Sequence, residues 1–281
     1  MKKAASAVFF VLDRNECCST FTLAKNIPSS VTNMSKKNPG TLYLFPTPIG
    51  DLHQMELIPY NNELLLELDI FFVEELKTAR RYLRKNGYTK DFEEITLNVI
   101  NEHSKELGYE SWLKPILEGK DGGLMSEAGM PCIADPGAVI VAEAHRMGIP
   151  VVPLTGPSSI MLTLAASGLN GQSFTFHGYL PRERSERMKK IKMLERQSAE
   201  YKVTQLFMDA PYRSHHVYDD LREHLQPTTL LCIGCDVHSQ NGYVITKTIA
   251  EWREMNWDFN KRNVIFAVGV EKKWNEFSVS V

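Results

Sequence analysis

The chain has 281 residues, 43% hydrophobic and 23% charged, with a formal net charge of −2. This make-up suits a globular protein of one large α/β domain or two small ones, with a core that needs no disulfide staples. It excludes the global basic field that drives nonspecific nucleic-acid binding, so a nucleic-acid partner would need a local basic patch.

Cys17, Cys18, Cys132, Cys232 and Cys235 are odd in number and fit no disulfide framework, which points to a reducing, cytoplasmic setting. Cys232-Ile233-Gly234-Cys235 is a CxxC pair. A redox or zinc role wants a helix starting after the first cysteine, or a second ligand pair. Here the motif ends the apolar run Thr228 to Ile233, so it reads as a buried strand. The histidines form no ligand constellation, and no metal is expected. No run approaches the ~18 apolar residues that span a bilayer. Lys2-Lys3 and the apolar stretch Ala4 to Leu12 resemble a weak signal peptide, but Asp13-Arg14-Asn15-Glu16 follow with no small-residue cleavage site. Asn15 and Glu16 before Cys17 do not suit a lipoprotein signal. Residues 1–39 are expected to be a flexible extension, with Met34 an alternative start of translation.

From residue 41 the pattern is regular. Thr41 to Phe45 is a predicted strand closed by Pro46 and Pro48, Asn61 to Leu68 a helix, and Asp69 to Val73 a strand. Thr78 to Asn86 has helical spacing, with Gly87 as its stop. Ile95 to Val99 reads as strand and Lys105 to Leu117 as helix, its end blurred by Pro115. Gly123 to Met125 is a short buried strand, Val139 to Met147 a helix, and Ile149 to Leu154 a strand. A second half begins near Thr155-Gly156-Pro157. Ser158 or Ser159 caps a helix running to Ser167. Phe174 to Phe176 is strand, Arg182 to Arg196 a charged helical segment, Val203 to Met208 strand, Ser214 to His224 helix and Leu230 to Ile233 strand. Tyr243 to Thr246 and Val264 to Val268 look like late strands suited to antiparallel pairing. The alternation predicts an α/β fold with a largely parallel sheet covered on both faces, divided into domains over 40–155 and 156–281 with a cleft between them.

The chemical signals are loops that follow strands, where ligands of open α/β sheets bind. They are Thr47 to Leu52, SEAGMPCIADPG at 126–137, and Leu154 to Ser159. Glycine lets backbone approach a ligand and proline fixes the loop. No GxGxxG follows a strand and no GxxxxGK[ST] occurs, which argues against an ordinary dinucleotide enzyme, a P-loop NTPase and the common methyltransferase fold with a glycine-rich first loop.

In order, LYLFPTPIGDL, SEAGMPCIADPG, PLTGPSSIMLTLAASGL, FTFHGYLPRERSER and LFMDAPYR resemble the tetrapyrrole-methylase superfamily. The resemblance runs over residues 41 to 245. It is strongest to the branch that methylates a cytidine ribose 2′-hydroxyl of small-subunit ribosomal RNA, with GYLPRERSER the most telling block. The resemblance implies two α/β domains, a homodimer, and S-adenosylmethionine folded into the interdomain cleft. Carried over by motif, the donor site takes Pro48 from the first loop and Gly129, Met130, Pro131 and Ile133 from the second. Ser159 and Ile160 come from the second-half helix, and Met208 and Ala210 from the end of a later strand. Helix N-terminal amides and Ser159 suit a carboxylate or hydroxyls, and Ile133, Ile160 and Met208 suit adenine or simply the core. The sequence departs from the branch at Glu74-Glu75-Leu76-Lys77, where Glu-Asp-Thr-Arg is usual, and at Glu127-Ala128-Gly129-Met130-Pro131, where Asp-Ala-Gly-Thr-Pro is usual. Further departures are Asp209-Ala210-Pro211-Tyr212-Arg213, where Glu-Ser-Pro-His-Arg is usual, and Cys235-Asp236 in place of Arg-Glu. Asn101-Glu102-His103 is retained, and a small C-terminal extension of the usual kind is not expected. Lysine for arginine loses a bidentate fork.

An alcohol acceptor needs a base. The candidates are Glu75, Lys77, Glu127 and His103, with Glu75 requiring a raised pKa and Lys77 able to orient it or bind phosphate. Arg182, Arg184 and Arg187 open a basic stretch that continues through Lys189, Lys190 and Lys192. With Arg213, the three arginines are candidate RNA contacts. Arg80, Arg81, Arg84 and Lys85 form a second basic stretch. Each stretch also reads as a solvated helix face. Three functions stay open: an RNA ribose methyltransferase, a methylase of a tetrapyrrole-like or other small metabolite, and a silent paralogue that binds donor or RNA. Salt-dependent RNA binding separates the first two, and donor binding without transfer identifies the third.

Overall fold

Ile70, Phe71, Phe72 and Val73 form β2 (Ile70–Val73), a strand buried along its whole length. Such a continuous apolar run marks the middle of a sheet covered on both faces. Its neighbours are β1 (Leu42–Phe45), β3 (Thr96–Val99), β4 (Gly122–Met125) and β5 (Val151–Pro153), all parallel, in the order β3-β2-β4-β1-β5. The computed structural model describes residues 38–51, 58–100 and 108–270. The expectations for residues 1–37 and for Asn101-Glu102-His103 fall outside these residues.

The period of two along each strand divides the core. Ile70 and Phe72 join Leu42 and Leu124 beneath α3 (Tyr109–Leu117) and α4 (Ala138–Arg146). Phe71 and Val73 join Phe45 and Met125 beneath α1 (Pro59–Glu67) and α2 (Leu76–Lys85). Pro115 lies inside α3 instead of ending it. The last turn closes around it, with Lys120 N–H donating to the Pro115 carbonyl at 3.1 Å.

The second sheet has the order β6-β7-β10-β8-β9. Its strands are β6 (Phe174–Tyr179), β7 (Thr204–Asp209), β8 (Leu230–Cys235), β9 (Tyr243–Thr248) and β10 (Val264–Gly269). Only β6 and β7 run parallel; β8, β9 and β10 pair antiparallel. The connection over 236–242 is far shorter than the dozen or more residues a parallel crossover needs, so β8 and β9 form a hairpin. The expectation of a largely parallel sheet therefore holds for the first sheet and not the second. α5 (Ser159–Ala166) covers one face of the second sheet, and α6 (Arg184–Tyr201), α7 (Ser214–His224) and α8 (Ile249–Arg253) cover the other. α6 runs to Tyr201, beyond the predicted Arg196. α8 went unpredicted, although its capping box, Thr248 with Glu251, is legible as T-x-x-E. Cys232 packs under α5 and Cys235 on the opposite face, because an odd spacing on a strand turns side chains apart. The CxxC pair cannot share a metal or a disulfide. Among the described residues, no helix is long and apolar enough to cross a membrane.

Candidate functional site

The chain leaves β1 toward β2 on one side and leaves β4 toward β5 on the other, although β1 and β4 are neighbours. Ligands of open α/β sheets bind in the crevice beyond the carboxyl ends of such a strand pair. Two of the expected loops are stitched together there. Thr47 and Gly129 exchange backbone hydrogen bonds, each 3.0 Å. The Ser126 hydroxyl donates to the Gly129 carbonyl at 2.6 Å, and the Thr47 hydroxyl donates to the Ser126 carbonyl at 3.2 Å. Gly129 has φ +81°, and a Cβ on it would stand 3.0 Å from Ile49 Cγ2 and 3.3 Å from the Pro157 carbonyl oxygen. All three loops thus meet at one residue that only glycine fits without strain. Cys132 and Ala134, with φ of 68° and 66°, are also left-handed, a costly concentration of the kind found at ligand sites. The first loop also reaches the second sheet's hairpin. A Cβ on Gly50 would lie 2.2 Å from the His238 carbonyl oxygen, and Asp51 Oδ1 accepts from Gln240 N–H at 2.8 Å.

Of the residues expected at the donor site, Gly129 forms this junction, Met130 and Pro131 follow it directly, and Met208 and Ala210 stand at the end of β7 in the second sheet. Pro48 lines a pocket of about 200 Å³. Pro131 is buried and Met130 half-buried, while Ile133 is 44% exposed. Ser158, not Ser159, caps α5, accepting from Met161 N–H. Ser159 and Ile160 are the first two residues of that helix, whose leading amides have no partner within it. Ile160 and Met208 pack into one apolar cluster with Leu206 and Ala267. The backbone of Ala210 is already engaged: its N–H donates to Asp209 Oδ1 at 2.7 Å, and its carbonyl accepts from the Arg213 and Ser214 amides.

The same pocket is walled by Thr47, Val73, Glu74, Glu75, Met125, Ser126 and Glu127, and by the α2 residues Thr78, Ala79, Arg81, Tyr82 and Lys85. Two adjacent glutamates behave oppositely in it. Glu75 is the N-cap of α2, its oxygens accepting from Lys77 N–H at 2.8 Å and Thr78 N–H at 2.6 Å. Those bonds hold its carboxyl below the usual range, the reverse of what a base role asked of it. Glu74 is half-buried, and burial, with the carboxylates of Asp135 and Glu127, pushes its carboxyl up to about 7. Burial and Glu127 likewise raise Asp135 to about 6, and Asp135 Oδ2 is a buried oxygen without a hydrogen-bond partner. Glu74 and Asp135 are the residues that sequence reasoning missed. The excess of acid emerges only when the ends of β2 and β4 come together. Lys77 is exposed and Glu127 stands at the pocket rim. His103 lies outside the described residues.

The candidate RNA contacts divide sharply. Arg187 is buried, with Nε and Nη2 bonding Asp220 at 2.7 and 2.6 Å and Nη1 donating to the Arg182 carbonyl. Arg184 bonds the other Asp220 oxygen at 2.9 Å and Glu223 at 2.9 Å. Arg213 is paired with buried Asp209. Arg187 therefore holds the fold together and presents no free guanidinium to a substrate, which corrects the expectation for it; Arg213 pairs through Nε and Nη2 and keeps a buried Nη1 without a partner; Arg184 is exposed but already doubly paired. Arg182 is exposed. Asp220, Glu223 and His224 approach metal-site spacing, but the two arginines already neutralise Asp220.

Residues 41–251 match the profile of the family described as Tetrapyrrole (Corrin/Porphyrin) Methylases. Ribosomal RNA small subunit methyltransferase I of Halalkalibacterium halodurans is 33% identical over 183 residues, 65% of this chain and 59% of the relative. Proteins of the same name from Bacillus subtilis and Vibrio cholerae are 33% and 34% identical, over 63% and 61% of this chain and 57% and 56% of theirs. The chain thus spans less than two thirds of the length of these relatives. Among solved structures, one titled "Crystal structure of the methyltransferase CobJ" superposes with a TM-score of 0.53 at 17% identity, covering 83% of this chain and 94% of that one, a likeness of fold.

Proposed function

This chain belongs to the tetrapyrrole (corrin/porphyrin) methylases, and on that premise we propose that it is an S-adenosylmethionine-dependent methyltransferase whose acceptor is an RNA ribose 2′-hydroxyl of the small-subunit ribosomal kind. The observation that carries this reading is the junction at the switch point, where three loops close on Gly129 beside a carboxyl held at about 7. The names of the relatives favour ribosomal RNA as acceptor.

What supports a fit to the donor is the cradle itself. Gly129 lets the three loops close together without a Cβ between them, exposed Ile133 and half-buried Met208 offer apolar surface, and the leading amides of α5 suit a carboxylate. When bound, S-adenosylmethionine supplies a methyl group on a positively charged sulfur, already activated for displacement. The protein's part is then to orient the acceptor oxygen and remove its proton. Glu74 takes that role. Its raised pKa makes it a stronger base than an ordinary carboxylate, and it is ionised once pH exceeds about 7. Asp135 and Glu127 hold that pKa up, and Glu75 fixes the start of α2 beside it. The working form is proposed as a homodimer, since α5 exposes Met161 and Leu162 and the edge strand β6 exposes Phe174 and Tyr179, surface that a second copy would cover. Sedimentation at monomer mass at micromolar concentration would contradict it.

Calorimetric titration with S-adenosylmethionine and S-adenosylhomocysteine is the test of the main reading. Saturable binding, followed by methyl uptake into unmodified small ribosomal subunits, is expected. Folded protein that binds neither ligand would overturn it.

A further inference from the structure

Four cations, Arg80, Arg81, Arg84 and Lys85, fall within six positions of α2, and the sequence treats them alike. The helical period does not. Ala79 and Leu83 turn into the core. Arg80 and Arg84 turn to Phe92, their guanidinium carbons 5.4 and 4.1 Å from the ring centroid, and Arg84 also donates to the Tyr88 and Lys90 carbonyls at 2.7 and 2.9 Å. Thr78, Arg81, Tyr82 and Lys85, at spacings of three, four and seven from the first, share the remaining stripe and line the pocket. Glu74 and Glu127 line the same pocket from the ends of β2 and β4. It is thus acidic on the strand side and basic on the helix side.

A ribose 2′-hydroxyl in RNA has the 3′-phosphate on the adjacent carbon. A pocket that offers a carboxylate to the first and cations to the second fits that pair of groups. We infer that Arg81 and Lys85 bind the phosphodiester adjoining the target ribose and so fix its 2′-oxygen against the acidic wall. The inference rests on the RNA-acceptor reading above and adds the residues that select a phosphodiester over a neutral metabolite. Arg81 supplies a planar fork matched to two phosphate oxygens and Lys85 a point charge. Both are positioning residues. They act on where the acceptor sits, not on the proton it loses.

The experiment measures binding of unmodified small ribosomal subunits across salt concentration, with methyl-transfer kinetics and S-adenosylmethionine calorimetry, for the unaltered chain, Arg81→Ala/Lys85→Ala, Arg81→Lys and Arg80→Ala. The double variant is expected to lower the slope of log affinity against log salt by about 1 to 2. It should raise KM roughly tenfold, lower kcat as well because the 2′-oxygen is no longer held in line, and bind S-adenosylmethionine as before. Arg81→Lys should recover part of the affinity, and Arg80→Ala should leave the slope unchanged. Salt-dependent binding that ignores the double substitution overturns this inference and leaves the acceptor reading standing. Absence of salt-dependent binding by the unaltered chain overturns both.

Discussion

α2 and α6 are both basic helices, one with Arg80, Arg81, Arg84 and Lys85, the other with Arg184, Arg187, Lys189, Lys190 and Lys192. In α6 the first two arginines close on Asp220, a carboxylate from α7 that is itself buried, and Lys189 pairs with Glu186 one turn before it. In α2 the period sends one pair of cations onto Phe92 and the other to the pocket. Basic runs of this kind therefore carry different meanings: in α6 the buried part is architecture, and in α2 Arg81 and Lys85 line a site.

The largest expected effect tests the α6 side. Asp220→Ala strips the partner from a buried Arg187 and should cost about 3–5 kcal/mol, the usual price of an uncompensated buried charge. A fall in Tm of this scale with subunit affinity unchanged at low temperature would confirm the architectural role, whereas a loss of affinity at full stability would reinstate Arg187 as a contact. Next comes the acidic wall that faces α2. Glu74→Gln should slow methyl transfer about 10²–10⁴-fold, the range for removing a general base. In the unaltered chain the rate should climb with pH through about 7, as Glu74 loses its proton. A variant whose pH–rate profile matches that of the unaltered chain would assign the base elsewhere.

The same residue predicts a stability trend. The folded carboxyl holds its proton up to about 7, against an ordinary value of 4.5, so the folded state binds that proton more tightly than the unfolded state. Stability from this group is fully present below 4.5, falls as pH rises toward 7, and is gone above it. Denaturant titrations of Glu74→Gln should lose this component of the slope. Smaller again is Gly129→Val, which forces a branched residue into a left-handed conformation against Ile49 and Pro157. About 1–3 kcal/mol of strain is expected, with S-adenosylmethionine affinity down at least tenfold by calorimetry. Smallest is Glu75→Ala, which removes only a cap. A slight drop in Tm and an unaltered pH–rate profile would separate Glu75 from its neighbour, and a lost alkaline rise in rate would rejoin them.

Much of this was legible before any coordinates. The apolar run Ile70 to Val73 dictated a central strand, Gly87 dictated the end of α2, and the proline- and glycine-rich loops marked the site. Local chemistry determines these features: side-chain period, backbone freedom and capping act over a few residues. The paired roles were not legible. Glu74 and Glu75 are adjacent and identical in kind, yet one caps a helix and the other faces Asp135, sixty-one positions further along the chain. Arg184 and Arg187 looked like a nucleic-acid face because nothing local announces Asp220.

The sequence by itself determined the family motifs, their order, and nearly every strand and helix that carries them. Tertiary structure alone decided which charges meet. Electrostatic and desolvation energies depend on distance and burial, and both are set by elements far apart in the chain.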